Sequence, residues 1–405
     1  MAASSDTAVM TILNLISDYG SISQKQMFDL SGYSRSMISI ACEQLLREGL
    51  IVTDKTKTQN KKKNIEYKVN CDLGYIIGIA IGGTSCRIGL FDLLCTPIEI
   101  IKEPVNHSTG PDAILSKICT TIDTLIEQHG KGKRILGIGM GIPSPVKYEE
   151  GYANYPSFMP GWHMYGLKDY FREKYDCPAF IDNEVNIMAL EEFQHKVKQE
   201  DHILLCIKVG TGIGAGLVID NRIYRGENGG AGNIGHIQIA NATQQCECGK
   251  TGCIEAIASA PAVLRKAEKT ASENPESALA RIRREHGSLS IEDIKRASDE
   301  GDGLALSIIR EAGENIGELI AMLTMFLDPG SIVIAGQLTR LGPIYMYHIR
   351  NTIQKKTTPW IGHNFSVYVS ELPFDQAATG AARLCKYELF SRNLILEKMD
   401  DSSAT

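Results

Sequence analysis

Hydrophobic residues recur at helical spacing in the first part of the chain. Between residues 7 and 18 they are Val9, Ile12, Leu13 and Ile16, which follow the i, i+3, i+4, i+7 spacing of one buried helix stripe. A second, shorter helix is predicted to start after Ser23, with Met27 and Leu30 turned inward. Gly32 then breaks it, so the pattern predicts two packed helices in this stretch.

A third helix is predicted from the cap residue Ser34 to about Glu48. Its inward stripe consists of Ile38, Ala41, Cys42 and Leu45. Arg35, Ser36 and Ser39 lie off that stripe near the helix N-terminus, where a recognition helix contacts bases and phosphates. A leading helix, followed by two helices joined by a tight glycine-containing turn, predicts a helix-turn-helix.

After this helix the chain becomes extended at residues 50 to 52 and again at residues 65 to 69, which predicts a hairpin wing. The tip between the two strands carries Lys55, Lys57, Lys61, Lys62 and Lys63. Such a run of positive charges can replace counterions along a DNA backbone. The alternative is a small packing domain with a solvated lysine loop.

Two glycine-rich strand-turn-strand segments follow, at residues 76 to 92 and 203 to 220. Backbone N–H groups at glycines, together with threonine hydroxyls, can hydrogen-bond phosphate oxygens. The residues predicted to do so are Gly82, Gly83, Thr84, Gly210, Thr211, Gly212 and Gly214. One such segment in each half of the chain indicates the duplicated, two-lobed fold of actin-like ATPases and sugar kinases; the alternative is two ordinary hairpins with bulge glycines.

Composition narrows the class of protein. The chain has 405 residues, of which 43% are hydrophobic and 22% charged, a balance that excludes a disordered or fibrous protein. No run approaches the roughly 18 apolar residues of a membrane span, and the first residues lack the order of a signal peptide, so we expect a cytoplasmic protein. The net charge is −6, yet the first seventy residues hold more Lys and Arg than Asp and Glu, which leaves nucleic-acid binding by that segment open.

Three of the eleven cysteines cluster, while the others stand singly, as in a reduced protein. Cys246, Cys248 and Cys253, with His236, supply three sulfurs and one nitrogen suited to a tetrahedral zinc site. Four protein ligands leave no vacant position, so we expect a structural zinc that fixes the loop carrying His236 and Glu255. The alternative is three unligated cysteines.

These motifs together resemble the ROK family, which contains transcriptional repressors and sugar kinases. The likeness rests on Gly82-Gly83-Thr84, the glycines of residues 210 to 216, the stretch GGAGNIGH at 229 to 236 and C-x-C-G-x-x-G-C-x-E at 246 to 255. Because a winged helix precedes these motifs in the chain, the whole sequence resembles the repressor branch of the family. The resemblance implies an α/β fold: a winged helix-turn-helix over residues 1 to 70, a first lobe over 71 to 185 completed by a helix over 376 to 396, and a second lobe over 186 to 375 with the zinc motif.

The resemblance also implies a sugar pocket in the cleft between the lobes. Its predicted residues are Asn183, Glu184, Asn233, His236 and Glu255. His236 then has two roles, one for each ring nitrogen, as zinc ligand and as sugar contact. Residues 157 to 162 resemble the family's substrate loop, with Ser157 where a sugar-contacting Asn is usual.

Two positions depart from the pattern of the family's kinases. Ala80 stands where they carry the Asp that organises the nucleotide's metal, and Glu184 stands where they carry an Asp general base. Glu moves the carboxylate by one methylene, and a misplacement of about 1 Å can cost roughly a hundredfold in rate. Asn233 also replaces a Glu usual before the zinc motif. These changes favour a protein that senses a sugar without phosphorylating it.

We therefore predict a dimeric or tetrameric repressor of sugar uptake or catabolism genes, which binds operator DNA and responds to a sugar or sugar phosphate. The rival is an ATP-dependent sugar kinase with a regulatory front domain, in which Glu184 would be the catalytic base and ATP with Mg²⁺ would bind the glycine loops. A third possibility is control by a partner protein.

Overall fold

The computed structural model describes residues 5–54, 65–154, 156, 159–196, 201–362, 365–372 and 376–391. The first elements, here called the N-terminal unit, are α1 (Ser5–Tyr19), β1 (Ile22–Ser23), α2 (Gln24–Ser31), α3 (Arg35–Arg47), β2 (Ile51–Thr53) and β3 (Glu66–Val69). The strands form an antiparallel sheet in the order β1-β3-β2. Three helices with this small sheet, whose strands β2 and β3 follow α3, are a winged helix-turn-helix, as predicted.

Local capping signals set the ends of the helices in this unit. The Ser23 side chain accepts a hydrogen bond from the Gln26 backbone N–H, and the Gln26 side chain accepts one from the Ser23 backbone, which is a reciprocal capping box. Gly32 follows α2 with a φ of 70°, a left-handed conformation that favours glycine. The Ser34 hydroxyl accepts from the Met37 N–H and caps α3.

The core of the N-terminal unit contains the predicted stripes of α1 and α3. All four predicted residues of each stripe are buried. Met27 is also buried, and its sulfur lies 3.7 Å from the Cys42 thiol. Leu30, however, is 50% exposed, so the prediction that it turns inward was wrong. Met27 already fills the contact with α3, and α2 ends one residue after Leu30.

The first lobe follows. Its elements are β4 (Tyr75–Ile81), β5 (Ser85–Phe91), β6 (Pro97–Pro104), α4 (Gly110–His129), β7 (Ile135–Ile142), β8 (Val146–Lys147), β9 (Tyr152–Ala153), α5 (Leu167–Tyr175) and β10 (Ala179–Asn183). The five-stranded sheet has the order β10-β7-β4-β5-β6, parallel from β10 to β4 and antiparallel from β4 to β6.

The second lobe begins after the connecting helix α6 (Glu184–Lys196). Its elements are β11 (Ile203–Val209), β12 (Ile213–Ile219), β13 (Arg222–Ile223), α7 (Ile254–Ala258), α8 (Ala260–Glu273), α9 (Ala278–His286), α10 (Ile291–Asp299), α11 (Gly303–Leu327), β14 (Ser331–Ala335), α12 (Pro343–Lys356), α13 (Pro359–Gly362) and β15 (Ser366–Val369). Its sheet has the order β15-β14-β11-β12-β13, with the same parallel and antiparallel steps as the first. This repetition shows the predicted duplicated α/β fold.

The last described helix, α14 (Ala377–Ser391), lies against the sheet of the first lobe. A Cβ on Gly78 would lie 2.1 Å from the Ala378 carbonyl oxygen, and one on Gly139 would lie 1.8 Å from that of Ala381. Only glycine allows so close an approach of helix and sheet backbones. Residues 392 to 396 of the predicted helix lie outside the described residues.

The N-terminal unit is packed onto the rest of the protein through a shared core. One cluster of buried residues joins Ile12 and Ile16 of α1 to Phe91 at the end of β5 and to Leu389 of α14. A continuous core transmits displacement better than a solvated linker, because close-packed interiors deform little. Across the described ranges, every helix is too short or too polar to span a bilayer.

Candidate functional site

The two glycine-rich turns meet between the lobes. The β4–β5 turn comes from the first lobe and the β11–β12 turn from the second, and a Cβ on Gly83 would lie 3.3 Å from the Thr211 hydroxyl. The backbone of the first turn is fixed by Gly82, whose N–H donates to the Ser85 carbonyl and whose carbonyl lies 2.9 Å from His107 Nε2. The structure thus brings together the two segments predicted to contact phosphate.

The glycines of the second hairpin divide into two groups. A Cβ on Gly212 would lie 2.8 Å from a carboxylate oxygen of Glu255, close to the cleft. Gly214 and Gly216 instead face α6, since their Cβ positions would lie 3.2 Å from the Val185 side chain and 2.4 Å from its carbonyl oxygen, respectively. These two glycines therefore admit a helix next to the strand, a role that differs from the predicted approach to an anion for Gly214.

Asn183 and Glu184 lie where β10 ends and α6 begins. The Asn183 side chain accepts from the Val185 N–H at 2.8 Å and donates to the Ser144 carbonyl at 2.9 Å, which holds the first turn of α6 in place. Glu184 Oε1 accepts from Lys208 Nζ at 2.5 Å, and both side chains are more than four-fifths buried. The candidate base is therefore held by an ammonium group from the opposite lobe.

Lys208 was missed by the sequence reasoning. It is a lone cation in the otherwise apolar strand β11, and it stands two residues before the first glycine of the second turn. A charged side chain in such a strand is costly to bury without a partner. The lysine in this strand could therefore have predicted an opposing carboxylate. Ala80, at the other departure from the kinase pattern, is buried in β4.

The remaining predicted sugar residues surround the second hairpin. Glu255, the second residue of α7, accepts from the Ile213 N–H at 2.8 Å through Oε2. Asn233 is exposed and precedes the short 3-10 turn Ile234–His236, to which its side chain makes no capping bond. Ser157 of the substrate-loop prediction lies outside the described residues, whereas Trp162 of the same segment is fully buried.

His236, Cys246, Cys248 and Cys253 form a compact cluster with all four ligand atoms within 4.8 Å of one another. Cys246 Sγ lies 3.7 Å from His236 Nδ1, and Cys248 Sγ lies 3.7 Å from Cys253 Sγ. A tetrahedron with metal–sulfur bonds of about 2.3 Å has edges of roughly 3.8 Å, so the spacing fits a four-coordinate metal ion. The cluster can hold a metal through Nδ1, which leaves His236 Nε2 for another contact.

The cluster lies directly next to the cleft residues in the chain. Cys253 is the N-cap of α7, and Glu255 follows two residues later. The Ile254 N–H donates to the Ile237 carbonyl, and the Ile239 N–H donates to the Gly252 carbonyl. A metal in the cluster would therefore fix both the His236 turn and the start of α7 that carries Glu255.

A second ion pair between the lobes was also missed. Arg225, just after β13, donates from Nε to Asp182 Oδ2 at 2.8 Å, and the Asp182 side chain is 3% exposed. Burial acts to lower the pKa of Arg225, but the Asp182 carboxylate outweighs it and the pKa lies above its ordinary value. No pattern in the sequence indicated the contact of Arg225 with Asp182, because the two residues lie 43 positions apart and Arg225 belongs to a loop without a motif.

The predicted recognition residues lie on α3. Arg35 and Ser36 are exposed, Ser39 is half-buried, and the Arg35 guanidinium lies 5.2 Å from the centre of the Phe28 ring. The wing residues Lys55, Lys57, Lys61, Lys62 and Lys63 lie outside the described residues.

Residues 76 to 388 match the sequence pattern of the ROK family, and this match spans both lobes and most of α14. The chain belongs to the ROK family. It is 32% identical to a glucokinase of Halalkalibacterium halodurans over 78% of this chain and 96% of that protein. It is 29% identical to a xylose repressor of Caldicellulosiruptor bescii over 90% of this chain and 91% of that protein.

A solved structure shows the same fold over nearly the whole chain. It is a ROK family transcriptional regulator, a homologue of the E. coli MLC protein, with a TM-score of 0.84, 23% identity and coverage of 98% of this chain and 99% of that one. The glucokinase leaves about a fifth of this chain unmatched, whereas the ROK family regulator covers the N-terminal unit as well.

Proposed function

We propose that this ROK protein is a DNA-binding transcriptional repressor of sugar uptake or catabolism genes, and that a sugar or sugar phosphate in the interlobe cleft controls it. The main observation behind the proposal is the Lys208–Glu184 ion pair in a two-lobed protein that also has an N-terminal winged helix. Proton transfer from a sugar hydroxyl to Glu184 Oε1 would give up the charged contact with Lys208 at 2.5 Å. The similarity to the xylose repressor of Caldicellulosiruptor bescii supports the same function.

In this proposal Arg35, Ser36 and Ser39 contact the operator, together with the wing lysines Lys55, Lys57, Lys61, Lys62 and Lys63. Asn183, Glu184, Asn233, His236 and Glu255 contact the sugar. Zinc occupies the cluster of His236 and the three cysteines, where it serves to hold the loop and α7 in place. The division at residues 70, 185 and 375, a cytoplasmic location and a dimeric or tetrameric state belong to the same proposal.

The ligand acts by changing the angle between the lobes. It must bind one arrangement better than the other, because a ligand with equal affinity for both shifts no equilibrium. The N-terminal unit shares a core with α14 and the first lobe, so a change in the lobes alters the separation of two such units in an oligomer. That separation sets which operator half-sites can be bound together.

The test is selection of genomic fragments bound by the purified protein, with and without a panel of pentoses, hexoses, N-acetylated sugars and their phosphates. We expect enrichment of a two-fold symmetric site that one ligand alters. Arg35→Ala should abolish the enrichment, while Arg172→Ala, an exposed arginine on α5 of the first lobe, should leave it intact. Absence of enrichment under every condition would contradict the proposal.

The cleft is tested separately. Asn233→Ala removes an exposed amide that caps nothing, so folding and DNA affinity should persist while the response to the ligand is lost. Asn274→Ala, which removes an exposed amide and its hydrogen bond to the Thr270 carbonyl at the far end of α8, is the control for a change outside the cleft. A retained ligand response in Asn233→Ala would remove Asn233 from the pocket.

The second candidate is an ATP-dependent sugar kinase. The glucokinase relative and the meeting of Gly83 with Thr211 favour it. A coupled ADP-release assay over the same sugars with Mg²⁺ and ATP decides between the two, and turnover above that of the Glu184→Gln variant would establish the kinase. Control by a partner protein would show as ligand-independent DNA binding.

A further inference from the structure

The loop after β13, residues 224 to 232, crosses from the second lobe to the first. Besides the Arg225–Asp182 ion pair, Asn228 accepts from Lys147 Nζ of the first lobe at 3.0 Å. A Cβ on Gly229 would lie 2.0 Å from the Val146 carbonyl oxygen, so the two backbones touch. This crossing loop is therefore a direct link between the lobes outside the cleft.

Arg225 is the charged centre of that link. Asp182 Oδ1 accepts from the Asn183 N–H at 2.7 Å and from Asn186 Nδ2 at 2.8 Å, so the carboxylate that binds Arg225 also holds the turn into α6. The guanidinium carbon of Arg225 lies 3.6 Å from the centre of the Tyr148 ring, close enough for a cation–π contact. If the Arg225 side chain moved away from Asp182, it would lose the ion pair and the contact with the Tyr148 ring together.

The same cluster reaches the helix that supports the N-terminal unit. The buried Glu388 of α14 lies next to the Tyr148 hydroxyl, and burial, followed by this carboxylate, raises the pKa of Tyr148. Two residues earlier on α14, Lys386 donates to the Ser17 hydroxyl of α1 at 2.9 Å. The chain of contacts therefore runs from the second lobe to α1 through Arg225, Tyr148 and α14.

The guanidinium also has room to move. A cavity of about 330 Å³ lies beside it, lined among others by Tyr148, Arg225, Tyr387 and Glu388. A second cavity of about 460 Å³ is lined by residues of α1, the β12–β13 turn and α14, among them Thr11, Asn221 and Tyr387. Arg225 and the β12–β13 turn can therefore shift into open space, while α14 and α1 stay joined by their shared buried core.

We propose that Arg225 is the positioning residue that couples the cleft to the N-terminal unit: it holds Asp182, and through it Asn183, in one lobe arrangement, and it transmits a change of lobe angle to α14 and α1. This inference rests on the proposed function. A ligand that favours a different lobe angle must displace Arg225 from Asp182 and Tyr148, and the displacement reaches α14 at Glu388. The free energy of displacing Arg225 is part of the coupling free energy between ligand binding and DNA binding.

The experiment measures that coupling as the ratio of operator Kd values with and without ligand. Allosteric ratios are typically about 5 to 150. For Arg225→Met we expect the ratio to fall toward one and the ligand Kd without DNA to decrease, because the ligand no longer has to displace Arg225 from Asp182 and Tyr148. Arg225→Lys keeps the charge and should retain an intermediate ratio. Arg222→Met, an exposed arginine on β13, is the matched control and should match the wild type.

Asp182→Asn should lower the ratio of operator Kd values in the same way. The ratio in the double variant should be no closer to one than in either single variant, because both substitutions remove the same Arg225–Asp182 contact. This second variant carries the test if Arg225→Met is poorly folded. An unchanged ratio in folded Arg225→Met overturns the inference, whereas failure of the wild type to bind any fragment or to respond to any ligand is failure of the proposed function.

Hydrogen exchange of the protein without DNA or ligand gives an independent readout. In Arg225→Met, exchange should increase in the crossing loop and also in α14 and α1. An increase confined to residues 224 to 232 would overturn the coupling even if no operator were found.

Discussion

Gly216 determines how closely α6 approaches β12, and its substitution by alanine tests whether this contact sets the position of the cleft residues. A Cβ at this position would lie 2.4 Å from the Val185 carbonyl oxygen and 2.7 Å from Ala189 Cβ. Ordinary contacts begin at 3.4 Å, so the start of α6 must retreat by about 1 Å. The carboxylate of Glu184 lies at that end of the helix and must move with it.

Overpacking of this kind costs about 1 to 3 kcal/mol of unfolding free energy, which lowers the melting temperature by several degrees. The loss of one well-placed hydrogen bond, about 1.4 kcal/mol, should weaken ligand binding roughly tenfold. Differential scanning calorimetry and ligand titration measure the two effects. Gly166→Ala adds the same methyl group at the start of α5, where a Cβ meets nothing within 4 Å, and should behave as the wild type.

A Gly216→Ala variant that melts within a degree of the wild type and binds ligand equally well would refute this link between Gly216 and Glu184. That result would mean that α6 tolerates the added methyl group without moving Glu184.

Three further predictions concern the metal cluster, the cleft ion pair and the recognition helix. Cys248→Ser removes one ligand of the cluster and should lower both the metal content and the melting temperature, whereas Cys71→Ser, at a single half-buried thiol, should keep the metal. Lys208→Met and Glu184→Gln should each destabilise the protein, and a double-mutant cycle should show a coupling of about 1 to 3 kcal/mol, between that of exposed and fully buried pairs. Ser34→Ala removes the cap of α3 and should cost about 1 kcal/mol of stability and weaken operator binding.

Each of these has a clear contrary result. Full metal content in Cys248→Ser by elemental analysis would exclude that thiol as a ligand. Additive effects of Lys208→Met and Glu184→Gln in denaturant titrations would mean that the pair contributes nothing. An unchanged melting curve for Ser34→Ala would mean that tertiary contacts alone hold the start of α3.

The sequence by itself determined the features that depend on neighbouring residues. The stripes of α1 and α3, the cap at Ser34 and the end of α2 at Gly32 all follow from residues within one or two helical turns, and the structure has them as predicted. The cysteine cluster was equally accessible, because His236 and the three cysteines lie within eighteen positions. The two glycine-rich segments indicated the duplicated fold, since each marks the same step in one lobe.

Only the tertiary structure decided which distant groups meet. Lys208 reaches Glu184, and Arg225 reaches Asp182, because the two sheets and the crossing loop bring opposite lobes together. Gly214 faces α6 although the pattern suggested that it approaches an anion, and Leu30 is exposed although its spacing favoured burial. Hydrophobic periodicity reports which side of one element avoids water, whereas the partner on that side depends on the packing of elements far apart in the chain.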